Sequence, residues 1–426
     1  MATPRIARVF GAVNVGSFRI SAMIMGLTET DELVVLGSGH RASQGIKRGY
    51  VTDMAAATHA IRDAVERAER MAGTNVSSVW VGCTGAGLES RIAKVEIEIG
   101  GRRIEDEDIE QLLLVARETI QPDGRMVLHA QPAHYTLDGA HGVANPSGLH
   151  AEHLGVDIHV MLAESAPVRN LIEAVQNAHL EVESVVATPI AAGHSSLTPE
   201  ERELGTALVE IGGDVTNVSV YAAGMLLGLK SIPFGSSDIT DAIASSFGIR
   251  RFQAERLKCV SGSAIAAPSD HREMIPLLGP DESAADGQAR GADEQNRISR
   301  AQLVSVVTEQ LAHLTDETGR ALKELGFTGL VSGQVVLTGG GSELAGIADF
   351  AQSALGRPVR IAKPPSLRGL PEAHAHPGFA TLTGICLYAA EDPIDIRRVD
   401  PAYQDVIRPG LWSVVQRLFR AMKANF

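Results

Sequence analysis

Apolar residues in this chain fall into short runs closed by glycine-containing turns, and the spacing within them switches between strand and helix periods. Ile6–Val15 and Ile20–Gly26 predict two buried strands joined through Gly16-Ser17. Ala57, Ile61, Val65, Ala68 and Met71 recur at helical spacing and stop at Gly73, which predicts a glycine-capped helix, and Val79–Val81 supplies a further strand. From Leu88 the texture changes. Strict alternation over Lys94–Ile99 puts Val95, Ile97 and Ile99 on one face and Lys94, Glu96 and Glu98 on the other, the mark of a half-exposed strand. Glu105, Asp106, Glu107 and Asp108 follow where the first turn of a helix favours carboxylates, with Ile109, Leu112, Leu113 and Ala116 as its apolar side. Alternation returns at Val156, Ile158, Val160 and Leu162, so residues 88–162 are expected to form an inserted α+β subdomain.

The second half repeats the opening. Ala207–Ile211 runs into Gly212-Gly213, a turn and the strand Asn217–Tyr221, as Val9–Val15 runs into Gly16-Ser17 and a strand, so the chain reads as internally duplicated. A helix starting near Ser236 or Ser237, with Asp238 and Asp241 in its first turn, is expected to turn Ile239, Ile243 and Phe247 inward. Pro268–Asn296 is small, polar and acidic and predicts a mobile surface loop. Helical spacing resumes at Leu303, Val306, Val307, Leu311 and Leu314, and the strand Val335–Leu337 leads into a third glycine turn.

Composition narrows the function classes. With 426 residues, 44% of them apolar, the chain can hold two to four domains or one large duplicated body. The 51 acidic against 38 basic side chains give a net charge of -13, which disfavours nucleic acid as the main partner. Cys83, Cys259 and Cys386 stand far apart, so neither a disulfide framework nor a cysteine-built zinc site is available. Met1–Phe10 has no apolar stretch of signal-peptide length, and no run of ~18 apolar residues is free of charge, so a cytoplasmic protein without membrane spans is expected. Six of the fourteen histidines lie between His129 and His159, but no carboxylate or cysteine stands beside them at a telling spacing. They read as strand-exposed side chains rather than metal ligands.

Three glycine turns carry the candidate chemistry: Asn14-Val15-Gly16-Ser17, Glu210-Ile211-Gly212-Gly213-Asp214-Val215-Thr216-Asn217, and Leu337-Thr338-Gly339-Gly340-Gly341-Ser342. Glycine at a strand end lets backbone amides approach an anion that a side chain would hold off, and two opposed turns can clamp a polyphosphate. With these turns the sequence resembles the actin, Hsp70 and sugar-kinase superfamily and, within it, the FtsA family of bacterial cell-division proteins. Further similar stretches are Arg125–His129, Asn145-Pro146 with Gly148-Leu149, Leu197–Gly205, Asp238-Ile239-Thr240, Ala254–Lys258 and Val336–Gly341.

The resemblance implies an α/β fold: a duplicated actin-like (ribonuclease H-like) body with an inserted α+β subdomain and a C-terminal amphipathic helix. Its expected divisions are 1–87 as the first half of domain I, 88–162 as the insertion, and 163–205 as the return and crossover. Domain II then spans 206–390, a flexible tether 391–410, and the helix 411–426. It implies ATP, with Mg²⁺, as ligand. Gly16, Ser17, Gly212, Gly213 and Thr216 would then bind phosphate through backbone, Arg19 would take the place of a phosphate-facing lysine, and Glu255, Lys258 and Gly339, Gly340, Gly341 and Ser342 would hold adenosine. Where the family keeps acids to organise the metal-bound phosphates, this chain has Asn14 and Glu210; Asn14 is neutral, and Glu210, the candidate Mg²⁺ ligand, is one methylene longer than aspartate. Asp214 replaces the usual third glycine of the second turn and Asn217 a later aspartate, so binding with slow turnover or none is expected.

Residues 411–426 are informative by periodicity alone. Leu411, Trp412, Val414, Val415, Leu418, Phe419, Met422 and Phe426 gather on one helical face and Gln416, Arg417, Arg420 and Lys423 on the other. Such a helix is roughly 24 Å long, too short to cross ~30 Å of hydrocarbon but suited to lying in a lipid interface. Together with this tail, the resemblance implies a polymerising protein that ties the FtsZ ring to the cytoplasmic face of the inner membrane at the division site and recruits later division proteins; polymerisation and FtsZ docking are implied by the resemblance alone. The alternatives are an ATP-dependent small-molecule kinase or phosphatase of the same superfamily, or an actin-like pilus-assembly protein.

Overall fold

The computed structural model describes residues 5–85, 87–277, 297–327 and 333–398. The first lobe opens with β1 (Ile6–Val15), β2 (Arg19–Thr28), β3 (Leu33–Ala42), a small hairpin of β4 (Ile46–Lys47) and β5 (Tyr50–Val51), helix α1 (Met54–Ala72) and β6 (Ser78–Cys83). The insertion follows as β7 (Glu89–Glu98), α2 (Asp106–Thr119), β8 (Met126–Leu137), β9 (Ala140–Val143) and β10 (His153–Ala163). The chain returns through α3 (Ser165–Asn177), β11 (Glu181–Ala187), α4 (Thr188–Ser196) and α5 (Pro199–Leu204). The second lobe holds β12 (Thr206–Ile211), β13 (Thr216–Ala222), β14 (Met225–Ile232), α6 (Ser236–Phe247), α7 (Arg251–Ser261), β15 (Met274–Pro276), β16 (Arg297–Ser299), α8 (Arg300–Glu324), β17 (Gln334–Thr338), α9 (Ile347–Leu355) and β18 (Val359–Ile361), and α10 (Ala380–Glu391) closes the fold.

The duplication is a property of the sheets. The first lobe has strand order β11-β6-β1-β2-β3 and the second β14-β13-β12-β17-β18. In each, an antiparallel meander of three strands is extended from its first strand by two parallel ones, β6 and β11 in one lobe and β17 and β18 in the other. This is the duplicated α/β body that the repeated hairpins predict, in the form the resemblance implies. The meander forms because β1 and β2 are apolar on both faces and are joined by a turn too short for any other pairing. Helix α1 covers the sheet with Ala57, Ala60, Ile61, Ala64, Val65 and Ala68; Asp53 accepts from the Ala56 amide at its start and Gly73 ends it in the left-handed conformation.

The inserted subdomain is a separate sheet, β7-β10-β8-β9, covered by α2. Asp108 closes a capping box at the start of α2 and pairs with Arg102, which holds its carboxyl below the usual range.

Several expectations change at this level. Met71 is 52% exposed, off the buried face of α1, and only its sulfur is used, accepting from the Ser38 amide. Asp241 lies beyond the first turn of α6, where Asp238 stands alone. The start of the expected 268–296 loop is ordered, with a turn at Pro268–His271 and β15 paired to β16, while residues 278–296 lie outside the described ones. Helix α10 does not belong to the second lobe. It is apolar all round, so it needs neighbours on every side, and it finds them against α4, β1, β2 and β6, where Leu382, Ile385 and Cys386 complete the first-lobe core. Nor does the tether begin at 391. Ile396 is fully buried in the core of the inserted subdomain, and Arg397 donates to the Val127 carbonyl and pairs with Asp395. The amphipathic helix expected at 411–426 lies outside the described residues.

Candidate functional site

The first two glycine turns are the same device built twice. The Gly16 amide donates to the Arg19 carbonyl at 3.2 Å and the Gly212 amide to the Val215 carbonyl at 2.9 Å, each closing the hairpin between the first two strands of its lobe. A Cβ at Gly16 would stand 2.8 Å from the Arg19 oxygen and one at Gly212 2.7 Å from the Val215 oxygen, so neither position admits a side chain without opening its turn. The hairpins meet at their tips, where a Cβ on Gly213 would lie 3.0 Å from Cβ of Phe18. The third turn packs behind the second. Gly339, at φ 83°, brings its Cα so close to the Ile211 carbonyl that a Cβ would stand 2.5 Å from it, and Ser342 donates to the Gly339 carbonyl through both amide and hydroxyl. The start of α6 is tied in as well, the Ser236 and Ser237 amides donating to the Gly212 and Gly213 carbonyls.

Around these turns the expected ligand side chains take different stations. Asn14 ends β1 with a buried Oδ1 that has no hydrogen-bond partner. An orphaned acceptor beside Gly82 of β6, two residues before a glycine turn, fits a bound cation, its water or a protonated ligand group. Glu210 is 8% exposed and already satisfied, with Oε1 accepting from Thr381 and Oε2 from Asn217 at 3.0 Å. Burial pushes its carboxyl up against these bonds, and a Mg²⁺ ion would have to share or displace them. Thr216 is fully buried and its hydroxyl donates to the Phe234 carbonyl, so its side chain braces the turn from behind. Arg19 lies over the Phe379 ring at 4.0 Å and donates to the Gly378 carbonyl, beside Glu343; burial holds its guanidinium below its ordinary value.

Lys258 is 7% exposed, and its ammonium donates to the carbonyl and hydroxyl of Ser236 and the hydroxyl of Thr240 within 2.9 Å and pairs with Glu255 at 2.8 Å. Burial raises Glu255, but Lys258 and the hydrogen bonds from Lys258, Thr240 and Cys259 outweigh it and leave the carboxyl below its usual range. This is a locked strut between α6 and α7, not a surface ion pair.

Sequence reasoning passed over the β4–β5 hairpin. Arg48, at φ 51°, crosses to the second lobe, where its amide donates to Asp214 at 3.1 Å and its guanidinium stands 3.5 Å from Asp238. The Gly49 amide donates to the Ser17 hydroxyl at 3.4 Å. Asp214 is thus held by a backbone donor instead of facing phosphate unpaired. The signal lay in Arg48-Gly49, a pair of left-handed residues suited to a two-residue hairpin, but arginine does not announce that conformation.

Burial raises the Glu210 carboxyl, so the stability it contributes is complete below the ordinary value of 4.5 and lost as pH rises through the folded value. Glu210→Gln is therefore expected to stabilise the protein at neutral pH by ~1 kcal/mol and to show no gain near pH ~4, compared by thermal denaturation. Destabilisation at both pH values would show that the charge is required where it lies.

Family comparisons bear on the same elements. A family described as "Cell division protein FtsA" matches residues 207–384, and one described as "SHS2 domain inserted in FTSA" matches residues 85–162. A cell division protein FtsA from Agrobacterium fabrum is 35% identical over 402 residues, covering 92% of this chain and 89% of its own. The chain belongs to the FtsA family. An FtsA from Pseudomonas aeruginosa is 28% identical with 100% of both chains covered, and one from Escherichia coli K12 is 27% identical with 90% of each. Among solved structures, a PilM-PilN type IV pilus biogenesis complex chain matches with a TM-score of 0.60 at 17% identity, covering 92% of this chain and 99% of its own. MreB5 of Spiroplasma citri bound to ADP matches at 0.50 and 15%, covering 91% and 98%. These structural likenesses show the actin-like fold, and the SHS2 match coincides with β7–β10, so the insertion is the one FtsA proteins carry.

Among the described residues no group of three or more His, Cys, Asp or Glu side chains is placed to hold a metal ion, and no helix is long and apolar enough to cross a membrane.

Proposed function

We propose that this cell-division protein binds ATP between its lobes, polymerises, and ties the tubulin-like FtsZ filament to the cytoplasmic face of the inner membrane at the division site, where later division proteins join it. The observation that carries the reading is the convergence of three glycine turns. Gly16 and Gly212 shape matched hairpins that touch at Phe18 and Gly213, and Gly339–Ser342 lies directly behind them. Paired turns of this kind aim backbone amides at a polyphosphate from both lobes, and the orphaned Asn14 oxygen adds a polar contact at its end. Mg²⁺ would enter through the nucleotide's own phosphates, with Asn14 and Glu210 contributing little.

The membrane part of the reading rests on residues 411–426. The last described residues leave from the inserted subdomain, where Ile396 and Arg397 are anchored, so a tail helix on lipid would pull on that subdomain directly. Three cations at about 1 kcal/mol each, plus one apolar face, give weak binding for a single copy and firm binding for a polymer. In liposome flotation with anionic vesicles, the full chain is expected to float in the presence of nucleotide and a chain lacking 411–426 to stay at the bottom. Equal flotation of the two would remove the anchor.

A further inference from the structure

Away from the nucleotide cleft, a cavity of about 200 Å³ opens where the inserted subdomain, α4 and the second lobe come together. Strand β8 supplies Ala133 and His134, β10 His159, α4 His194, α5 Arg202, and the β13–β14 turn closes the far side. The chemistry of this lining is uneven. Arg202 is half-buried and makes no side-chain hydrogen bond or ion pair among the described residues, although its backbone is pinned by the Gly224 amide donating to its carbonyl at 3.1 Å. The three imidazoles each have one ring nitrogen engaged and one unspent. His134 donates through Nε2 to the Ala223 carbonyl, His159 Nε2 bonds the Ser90 hydroxyl at 2.9 Å, and His194 Nδ1 pairs with Glu391 at 3.1 Å. Burial pushes His159 down to about 4, so it serves as a neutral donor or acceptor. Against the effect of burial, Glu391 pairs with His194 and also feels the charge of Arg202, both of which help hold its carboxyl down.

The Arg202 guanidinium, whose charge reaches Glu391 but whose donors make no hydrogen bond among the described residues, leaves a fork that matches a carboxylate or phosphate. Beside it the cavity has room for several water-sized groups, enough for a few carbons as well as the anionic head. We propose that this cavity is a binding site for a small organic anion carrying one phosphate or carboxylate, gripped by Arg202 and the unspent imidazole nitrogens. His134 and His159 belong to the inserted subdomain and Arg202 is fixed to the second lobe through Gly224, so a bound anion favours the arrangement that keeps the two bodies together.

The test is calorimetric titration of the full chain, its cleft saturated with ADP, with inorganic phosphate and with glycerol 3-phosphate. Binding of at least one probe is expected. Arg202→Gln should weaken it by about tenfold or more, the effect of losing a charge-assisted pair, without changing ADP affinity. Ala133→Phe should block the organic probe by filling the cavity, and hydrogen exchange of residues 223–226 should slow when the probe binds. Should Ala133→Phe fail to fold, Arg202→Gln decides the matter alone. No uptake of either probe with the cleft saturated overturns the proposal, and so does equal affinity in Arg202→Gln.

Discussion

Gly384→Ala is expected to destabilise the protein by about 3 kcal/mol, more than most single core substitutions, although it adds one methyl group. Gly384 is buried in α10, where that helix crosses α4 between the two lobes. A Cβ there would stand 1.8 Å from the Ala191 carbonyl oxygen and 2.4 Å from its carbon. Both are backbone atoms of a neighbouring helix, so no side chain can rotate aside, and the helices must separate along a contact that also carries Ile385, Cys386 and Ala389 at essentially zero exposure. Gly319→Ala is the natural control. It also adds a methyl group inside a helix, α8, but the nearest atom to its Cβ is Leu355 Cδ2 at 3.8 Å, so the usual gain of ~0.5–1 kcal/mol for alanine over glycine is expected. Thermal denaturation of the two variants reads both signs. A Gly384→Ala protein as stable as the parent would mean that α4 and α10 are not packed as described.

The residues that made the fold legible are those whose meaning is local. Val9–Val15 and Ala207–Ile211, each followed by a glycine turn and a second apolar run, specify antiparallel hairpins wherever they stand, and finding the pattern twice was enough to read the duplication. The alternation at Lys94–Ile99 and the acids at Asp106–Asp108 specified the inserted subdomain equally well. Tertiary choices left no such mark. Helix α10 is apolar on every side, so periodicity could not say which lobe it serves, and Ile396, with Ile394 and Val399 set among charged residues, gave no sign of being a plug. In the site, the three turns were legible because glycine at a strand end is itself a geometric statement. Glu255 and Lys258 at i, i+3 read alike whether exposed or buried, and only the fold places Ser236 and Thr240 around the ammonium. Arg48 meets Asp214 across 166 positions of sequence, a separation at which no spacing argument operates.

Alanine at Gly16 or Gly212 is expected to cost about a hundredfold in nucleotide affinity, an expectation that rests on the proposed ATP site. In each hairpin the added Cβ would press, at 2.8 or 2.7 Å, on the carbonyl that closes the turn, so the turn must open and re-aim the amides at its tip. A hydrogen bond to a charged group is worth ~1.5–3 kcal/mol, and misaligning one or two of them removes about 3 kcal/mol, two factors of ten. Because the hairpins belong to different lobes but touch at Phe18 and Gly213, the double variant should lose less than the sum of the singles. Gly340→Ala separates fold from ligand: beyond its own neighbours in the chain no atom of the described residues lies within 4 Å of its Cβ, so any loss there reports a ligand lying against the third turn. The same titrations, run with a fluorescent ATP analogue with and without Mg²⁺, examine the acid positions. Asn14 brings no charge and both oxygens of Glu210 are engaged by Thr381 and Asn217, so removing Mg²⁺ should change affinity only slightly. Strict Mg²⁺ dependence would place the metal on Glu210 after all, with its hydrogen bonds surrendered, and unaltered affinity in both glycine variants would take the phosphates away from these turns.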